Sequence, residues 1–207
     1  MMDIINKYFP ELTEVQCHQF EAMMDLYRSW NEKINVISRQ DIVNLEVNHI
    51  LHSLSIVKFV KFTPGTAILD LGTGGGLPGL PLAVYFPEVR FHLVDRVAKK
   101  LRVAQDIAQN IGLTNVTVQH GDALEVKGKF DFVVSRAVMP FPDLVKLTRR
   151  FISLDNSNAI PNGLLCLKGG DLEQELARYK NDVLVDTLSS YFGEEFFKTK
   201  KIVYLPF

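Results

Sequence analysis

Residues Ala67 to Leu82 read A-I-L-D-L-G-T-G-G-G-L-P-G-L-P-L. Ala67 to Leu71 is apolar without alternation, which predicts a strand of a parallel sheet buried on both faces. Gly72, Gly74, Gly75 and Gly76 then let the backbone turn tightly and approach a ligand without Cβ clashes. Pro78 suits a helix start, where its missing N–H is no loss, and the apolar run continues to Phe86. Strand, glycine loop and helix N-terminus together form a cradle for a nucleotide-type ligand. A plain turn closing a βα unit has no need of so many glycines, each of which costs chain entropy.

Gly74-x-Gly76-x-x-Gly79 formally matches the dinucleotide fingerprint, a weak match by itself. Asp70 argues against that ligand, because a carboxylate at the strand tip faces a pyrophosphate unfavourably in a poorly screened pocket. It tolerates a cationic ligand well, and S-adenosylmethionine carries a sulfonium and an ammonium. The spacing Asp70-x-Gly72-x-Gly74-x-Gly76 also resembles the glycine loop of seven-stranded methyltransferases.

Working outward, 207 residues make one large domain or one domain with an appendage, and a 47% hydrophobic share is ample for its core. A net charge of −1 excludes a strongly basic nucleic-acid coat. There is no apolar run long enough to span a membrane and no signal-peptide pattern at the start. Cys17 and Cys166 are isolated thiols, so a reduced, cytoplasmic protein is expected, with a monomer as the default. Composition shifts at Thr63-Pro64-Gly65. Before it the pattern is helical: Thr13-Glu14 starts a periodic run through Val15, Phe20, Met23, Met24, Tyr27 and Trp30, and a second helix covers Val47 to Val60. Residues 1–62 are therefore expected to form a helical cap and 63–207 an α/β domain. The first 60 residues hold 5 basic and 8 acidic side chains, the remainder 18 and 16. A mildly acidic cap precedes a mildly basic domain.

After Pro64 the expected strands are Ala67–Leu71, Arg90–Asp95, Val116–Gln119, Phe130–Ser135, Gly163–Lys168, Leu184–Leu188 and Phe196–Tyr204. The expected helices are Pro78–Phe86, Val97–Gly112, Phe141–Ile152 and Leu172–Lys180. Their alternation predicts a doubly wound parallel sheet, with an antiparallel hairpin at the edge where no helix intervenes. Ligands of such sheets bind at the carboxyl ends of the strands, so site residues are sought just after each strand.

At those tips, Asp95 suits two ribose hydroxyls or an N-cap for the next helix. Asp122 suits an adenine amino group, with Ala123 offering a backbone N–H, or is a solvated turn aspartate. Arg136 suits a phosphate or the O6/N7 edge of a guanine, or a structural ion pair with Asp143 or Asp70. Lys168 is a second basic group at that rim or a solvated turn lysine. Arg96, Lys99, Lys100 and Arg102 oppose the dipole of the helix they open, which a bound phosphate backbone or a solvated face explains equally. Trp30 fits a core anchor better than a base-stacking platform. His49 and His52 stand a turn apart without a third ligand, so no metal site is expected. After the fourth strand, Ser-Arg-Ala-Val-Met-Pro-Phe-Pro lacks the Asn/Asp-Pro-Pro-aromatic stretch of exocyclic-amine methylation. It also lacks a cysteine for cytosine-C5 chemistry.

With these residues in place the chain resembles, over essentially its whole length, the bacterial 16S ribosomal RNA guanine-N7 methyltransferases of the glucose-inhibited division protein B type. The resemblance is carried by Trp30-Asn31-x-x-x-Asn35, His49-Ile50-Leu51-x-Ser53, Asp70 to Leu82, Val94-Asp95 with Lys99-Lys100, Ser135-Arg136-Ala137 and Leu167-Lys168-Gly169. It implies a Rossmann-like α/β fold with a seven-stranded S-adenosylmethionine-dependent methyltransferase sheet and an N-terminal helical cap. It implies cofactor contacts at Gly72, Leu77, Asp122, Ala123 and Arg136, beside the Asp70, Gly74, Gly76 and Asp95 of the loop and strand tips. The implied target is a guanine of 16S ribosomal RNA near the decoding centre, with Asn31, Asn35, His49, Arg96, Lys99 and Lys100 as candidate RNA contacts. The chain departs from the family pattern R-H-I-L-D-S, carrying Asn48 and His52 at the Arg and Asp positions, and reads Gly121-Asp122-Ala123-Leu124-Glu125 after the third strand. The alternatives are a methyltransferase of a small molecule or protein, an oxidoreductase binding a nicotinamide dinucleotide, and a non-catalytic RNA-binding assembly factor.

Overall fold

Helix formation begins where the local chemistry supplies caps. Helix α1 covers Asp3–Tyr8 and α2 Glu14–Lys33. The Thr13 hydroxyl accepts from Gln16 N and the Gln16 side chain accepts from Thr13 N, a reciprocal capping box. Phe20, Met23, Met24 and Tyr27 form the buried stripe of α2. Val15 does not join it: as the second residue of the helix it points away and is 66% exposed. The computed structural model describes residues 2–136 and 138–207; Ala137 of the Ser-Arg-Ala motif lies outside the described residues.

The helix expected over Val47–Val60 is two segments. A π-helical turn, Glu46–Leu51, runs into α3, His52–Phe59. Wide turns of this kind cost hydrogen-bond quality and gather at functional sites. This one buries His49, Ile50 and Leu51 on the inner side.

Next come β1 (Ala67–Leu71), α4 (Gly79–Tyr85), β2 (Arg90–Asp95), α5 (Ala98–Asn110), β3 (Val116–His120) and β4 (Phe132–Arg136). Helix α6 (Phe141–Thr148), β5 (Gly163–Gly169), α7 (Glu173–Leu176), β6 (Leu184–Thr187) and β7 (Lys200–Pro206) complete the chain. The sheet order is β3-β2-β1-β4-β5-β7-β6. The first five strands are parallel, while β7 runs antiparallel between β5 and β6. This is the Rossmann-like sheet expected, with its antiparallel pair at one end.

Boundaries differ where side chains prefer another partner. Phe130 leaves the expected fourth strand to bridge Ile152 in parallel, its N–H donating to Phe151 O at 2.8 Å. The same pairing ends α6 at Thr148, and Arg149–Phe151 becomes a single 3-10 turn. Phe196 and Phe197 belong to a 3-10 turn, Glu195–Thr199, and not to the last strand. Ring packing decides this: Phe197 is fully buried with its ring 4.5 Å from that of Phe192. The helix expected to Lys180 is one α turn followed by one 3-10 turn.

Phe20, Met23 and Tyr27 of α2 share one buried cluster with Leu80 and Ala83 of α4, Ile107 of α5 and Phe132 of β4. A second cluster, under α6, joins Leu69, Val133, Phe141, Leu144 and Leu164. The helices before Thr63 therefore close one face of the sheet by burying its apolar surface.

Candidate functional site

The glycine loop is held from beneath by two carboxylates. Asp70 is fully buried; its Oδ2 accepts from the Thr73 hydroxyl at 2.6 Å and from Gly79 N at 2.7 Å, tying loop to helix start. Its Oδ1 has no hydrogen-bond partner among the described residues. Burial pushes the carboxyl up to about 7, although Thr73, Gly79 and the Arg136 charge pull the other way. Asp95 takes the other side: Oδ2 accepts from Gly74 N and Oδ1 from Val97 N, both at 2.8 Å. Gly72 and Gly76 have φ of 70° and 101°, in the left-handed region that favours glycine. From above, the buried Tyr27 hydroxyl of α2 donates to Gly75 O at 2.8 Å.

At the carboxyl ends of β1 and β2 a cavity of about 450 Å³ opens. Leu71, Val94, Val97, Leu124, Val138 and Met139 supply its apolar walls, and Gly72, Asp95, Asp122 and Ala123 also line it. Val97, Leu124 and Val138 are large apolar side chains left 38%, 58% and 38% exposed around this one hollow. Such a surface fits a flat, largely apolar ligand with a few polar groups, the character of an adenosine moiety. A hollow of about 560 Å³ between α7 and β6 is larger, but neither the glycine loop nor the tips of β1 and β2 line it.

Beside the glycine loop stands a buried polar cluster. Pairing of Asp70 with Val134 sets Arg136 level with Gly72. Arg136 makes no hydrogen bond or ion pair among the described residues. Burial lowers its pKa, against the nearby Tyr27, Asp70 and Asp41. Asp41 accepts from Asn48 Nδ2 at 2.6 Å and pairs with His49 Nε2 at 2.9 Å. Burial, and then the Arg136 charge, push His49 down to about 4, and the same two causes hold His52 well below the ordinary histidine value. His49 Nδ1 and His52 Nε2 are buried with no hydrogen-bond partner among the described residues. One unpaired cation and two neutral imidazoles thus share a low-dielectric corner at the tip of β4.

The remaining expected residues distribute as follows. Asp70, Gly74, Gly76, Leu77 and Arg136 do not line the cavity; Leu77 is buried in the core behind the loop. Asp122 caps a 3-10 turn through Leu124 N and forms an ion pair with Arg96, whose side chain stays largely exposed. Lys99 is exposed and Lys100 half-buried, its Cδ 3.9 Å from where a Gly74 Cβ would stand. Asn31 is buried, and its Oδ1 accepts from Val36 N and Ile37 N, a structural cap. Asn35 is exposed. Trp30 packs on the core with Nε1 donating to Asp106 at 2.7 Å. Lys168 is no free rim cation: its Nζ donates to Met139 O at 2.9 Å and to Glu175 at 2.7 Å. His52 packs edge-on against Phe196 and Phe197, and no group of three or more metal-ligating side chains occurs among the described residues.

Sequence reasoning missed Thr73 as a partner of Asp70, Tyr27 as a loop contact, Asp41 and Glu175. Thr73 alone had a local signal, three residues after Asp70 in the loop. The others reach the site across 48, 8 and 7 residues by tertiary packing.

Comparison with known proteins adds the following. The sequence profile of the family described as rRNA small subunit methyltransferase G matches residues 16–203. The ribosomal RNA small subunit methyltransferase G of Bacteroides thetaiotaomicron is 59% identical over 203 residues, covering 98% of both chains. That of Phocaeicola vulgatus is 59% identical over 204 residues, covering 99% of this chain and 98% of its own. Among solved structures, precorrin-6y C5,15-methyltransferase of Geobacter metallireducens superposes with a TM-score of 0.57 at 13% identity. It covers 84% of this chain and 92% of its own, a likeness of fold. TrmN of Thermus thermophilus superposes with a TM-score of 0.55 at 15% identity, covering 73% of this chain and 46% of that one.

Proposed function

The chain belongs to the rRNA small subunit methyltransferase G family, and from that premise we propose that it transfers a methyl group from S-adenosylmethionine to N7 of a guanine in 16S ribosomal RNA, in the loop near the decoding centre. The reading extends to a cytoplasmic monomer whose partner is the small-subunit RNA. No helix among the described residues is long and apolar enough to cross a membrane.

The supporting observation is one juxtaposition: a mostly apolar cavity floored by Gly72, and a half-buried arginine, unpaired among the described residues, level with that glycine on the neighbouring strand. Gly72, Asp95, Asp122 and Ala123 would hold the adenosine portion. S-adenosylmethionine supplies, when bound, an electrophilic methyl on a sulfonium. Guanine N7 offers a free lone pair, so the transfer has no proton to remove first and needs no general base. The chain's contribution is then positioning and exclusion of water, an entropic effect above all. Arg136 donates to the carboxylate end of the methyl donor or to guanine O6, both anionic or electron-rich groups that an unpaired guanidinium would seek. His49, neutral and braced by Asp41, adds no competing charge.

The test is incubation of the purified protein with labelled S-adenosylmethionine and small subunits from cells lacking it, followed by mapping of N7-methylguanine. One modified guanine in 16S RNA is expected. Label at another atom, or none in that RNA, overturns the reading.

A further inference from the structure

We propose that Lys168 and Glu175 are positioning residues for the cofactor cavity, clamping residues 138–141 in place as its outer wall. This rests on the reading that the cavity takes S-adenosylmethionine. Lys168 ends β5 with its side chain only 11% exposed. Its ammonium donates both to Met139 O, at 2.9 Å, and to Glu175 Oε1, at 2.7 Å. The same Oε1 accepts from Phe141 N at 2.5 Å. One ion pair therefore grips both ends of Met139-Pro140-Phe141, and Pro140 between them has no N–H with which to brace itself.

The clamped segment forms part of the cavity. Val138 and Met139 line it, and Val138 lies so close over Gly72 that a Cβ there would meet Val138 Cγ2 at 2.5 Å. On the outer side a second hollow, about 370 Å³, is bounded by Val138, Met139, Pro140, Lys168 and Glu175. The wall is thus a single thickness of chain with space on both sides: packing anchors its Phe141 end in the core and holds Val138, left partly exposed, far less. Charge-assisted hydrogen bonds withdrawn from water are among the strong kind and supply the missing constraint. Two of the three Lys168 donors are spent on this task. That is the opposite of a lysine kept free for a phosphate.

The measurement is the Kd of S-adenosylhomocysteine by calorimetry, with KM values for S-adenosylmethionine and for small-subunit RNA beside it, on the full-length protein. Lys168→Met cuts the clamp, and the Kd is expected to rise about tenfold, equivalent to 1.4 kcal/mol. KM for S-adenosylmethionine should rise with it, more than kcat falls, and KM for RNA should move less than about twofold. Glu175→Gln keeps an acceptor for Phe141 N and weakens only the ion pair, so a rise of about threefold is expected. It carries the test where Lys168→Met does not fold. The double variant should be no worse than Lys168→Met, because a clamp already cut has nothing further to lose. An unchanged Kd in the folded variants overturns the inference, as do multiplying effects in the double variant or a rise in the RNA KM instead. A wild-type protein that does not bind S-adenosylhomocysteine overturns the assignment of the cavity itself.

Discussion

Asp70→Asn tests the loop brace through its pH dependence. Asn has the same shape and can still accept from Thr73 and Gly79, but it does not titrate. In the folded protein burial raises the Asp70 carboxyl from 3.8 to about 7. Below pH 4 it is protonated in both folded and unfolded chains. Between pH 4 and 7 the unfolded chain has released the proton while the folded chain still holds it. Stability therefore falls as pH rises, by about 1.4 kcal/mol per pH unit and about 4 kcal/mol in all, with the loss complete above the folded value. His49 and His52, whose values are depressed, act in the opposite sense. Their unfolded forms take up protons below pH 6.5, so their contribution grows with pH and masks part of the Asp70 effect in the wild-type curve. The difference between variant and wild type cancels the histidines. Urea unfolding from pH 4.5 to 8.5 should show Asp70→Asn gaining on the wild type by about 3 kcal/mol across that range, the first part of the loss lying below pH 4.5. Curves that stay parallel within about 0.5 kcal/mol would refute an uncharged Asp70 inside the fold.

Four further outcomes are expected. Gly79→Ala puts a Cβ 2.6 Å from Asp70 Oδ2 and 2.9 Å from Leu93 Cδ1, both buried, and should cost about 2 kcal/mol in urea unfolding. Gly112→Ala, with φ of 71° but open space, isolates backbone strain at about 1 kcal/mol; a larger loss there than at Gly79 would contradict the packing argument. Tyr27→Phe leaves the buried Gly75 carbonyl without its partner and should destabilise by about 1–3 kcal/mol, whereas wild-type stability would mean the bond carries no weight. Arg136→Ala should lower kcat/KM at least about 100-fold with the fold retained, and by removing a neighbouring cation it should raise the His49 pKa above about 4, read by NMR titration. Unaltered turnover would take Arg136 out of the site.

The sheet was legible because its information is local. Ala67–Leu71 and the glycines after it state a buried strand and a tight turn with no reference to the rest of the chain. The Thr13 cap and the strand–helix alternation are equally self-contained. Misplaced boundaries occur where a residue found a partner outside its own element, as the Phe130 backbone did with Ile152 and the Phe197 ring with Phe192. At the site, residue types were readable but their engagements were not. Lys168 and Arg96 look alike as basic residues after strands, yet each is spent on an acid, Glu175 and Asp122, that helix and loop geometry brings to it.

The amino-acid order by itself determined the doubly wound sheet, the glycine-rich bend and the nucleotide-like character of its ligand, since these follow from backbone freedom and apolar periodicity over a few consecutive residues. Only the tertiary structure decided which charges remain unpaired. Asp70 became an interior brace, Asp41 was brought to His49, and Arg136 was left half-buried with no partner among the described residues. Ion pairing and desolvation depend on separations of a few ångströms in space, and those distances arise when segments far apart in the chain pack together.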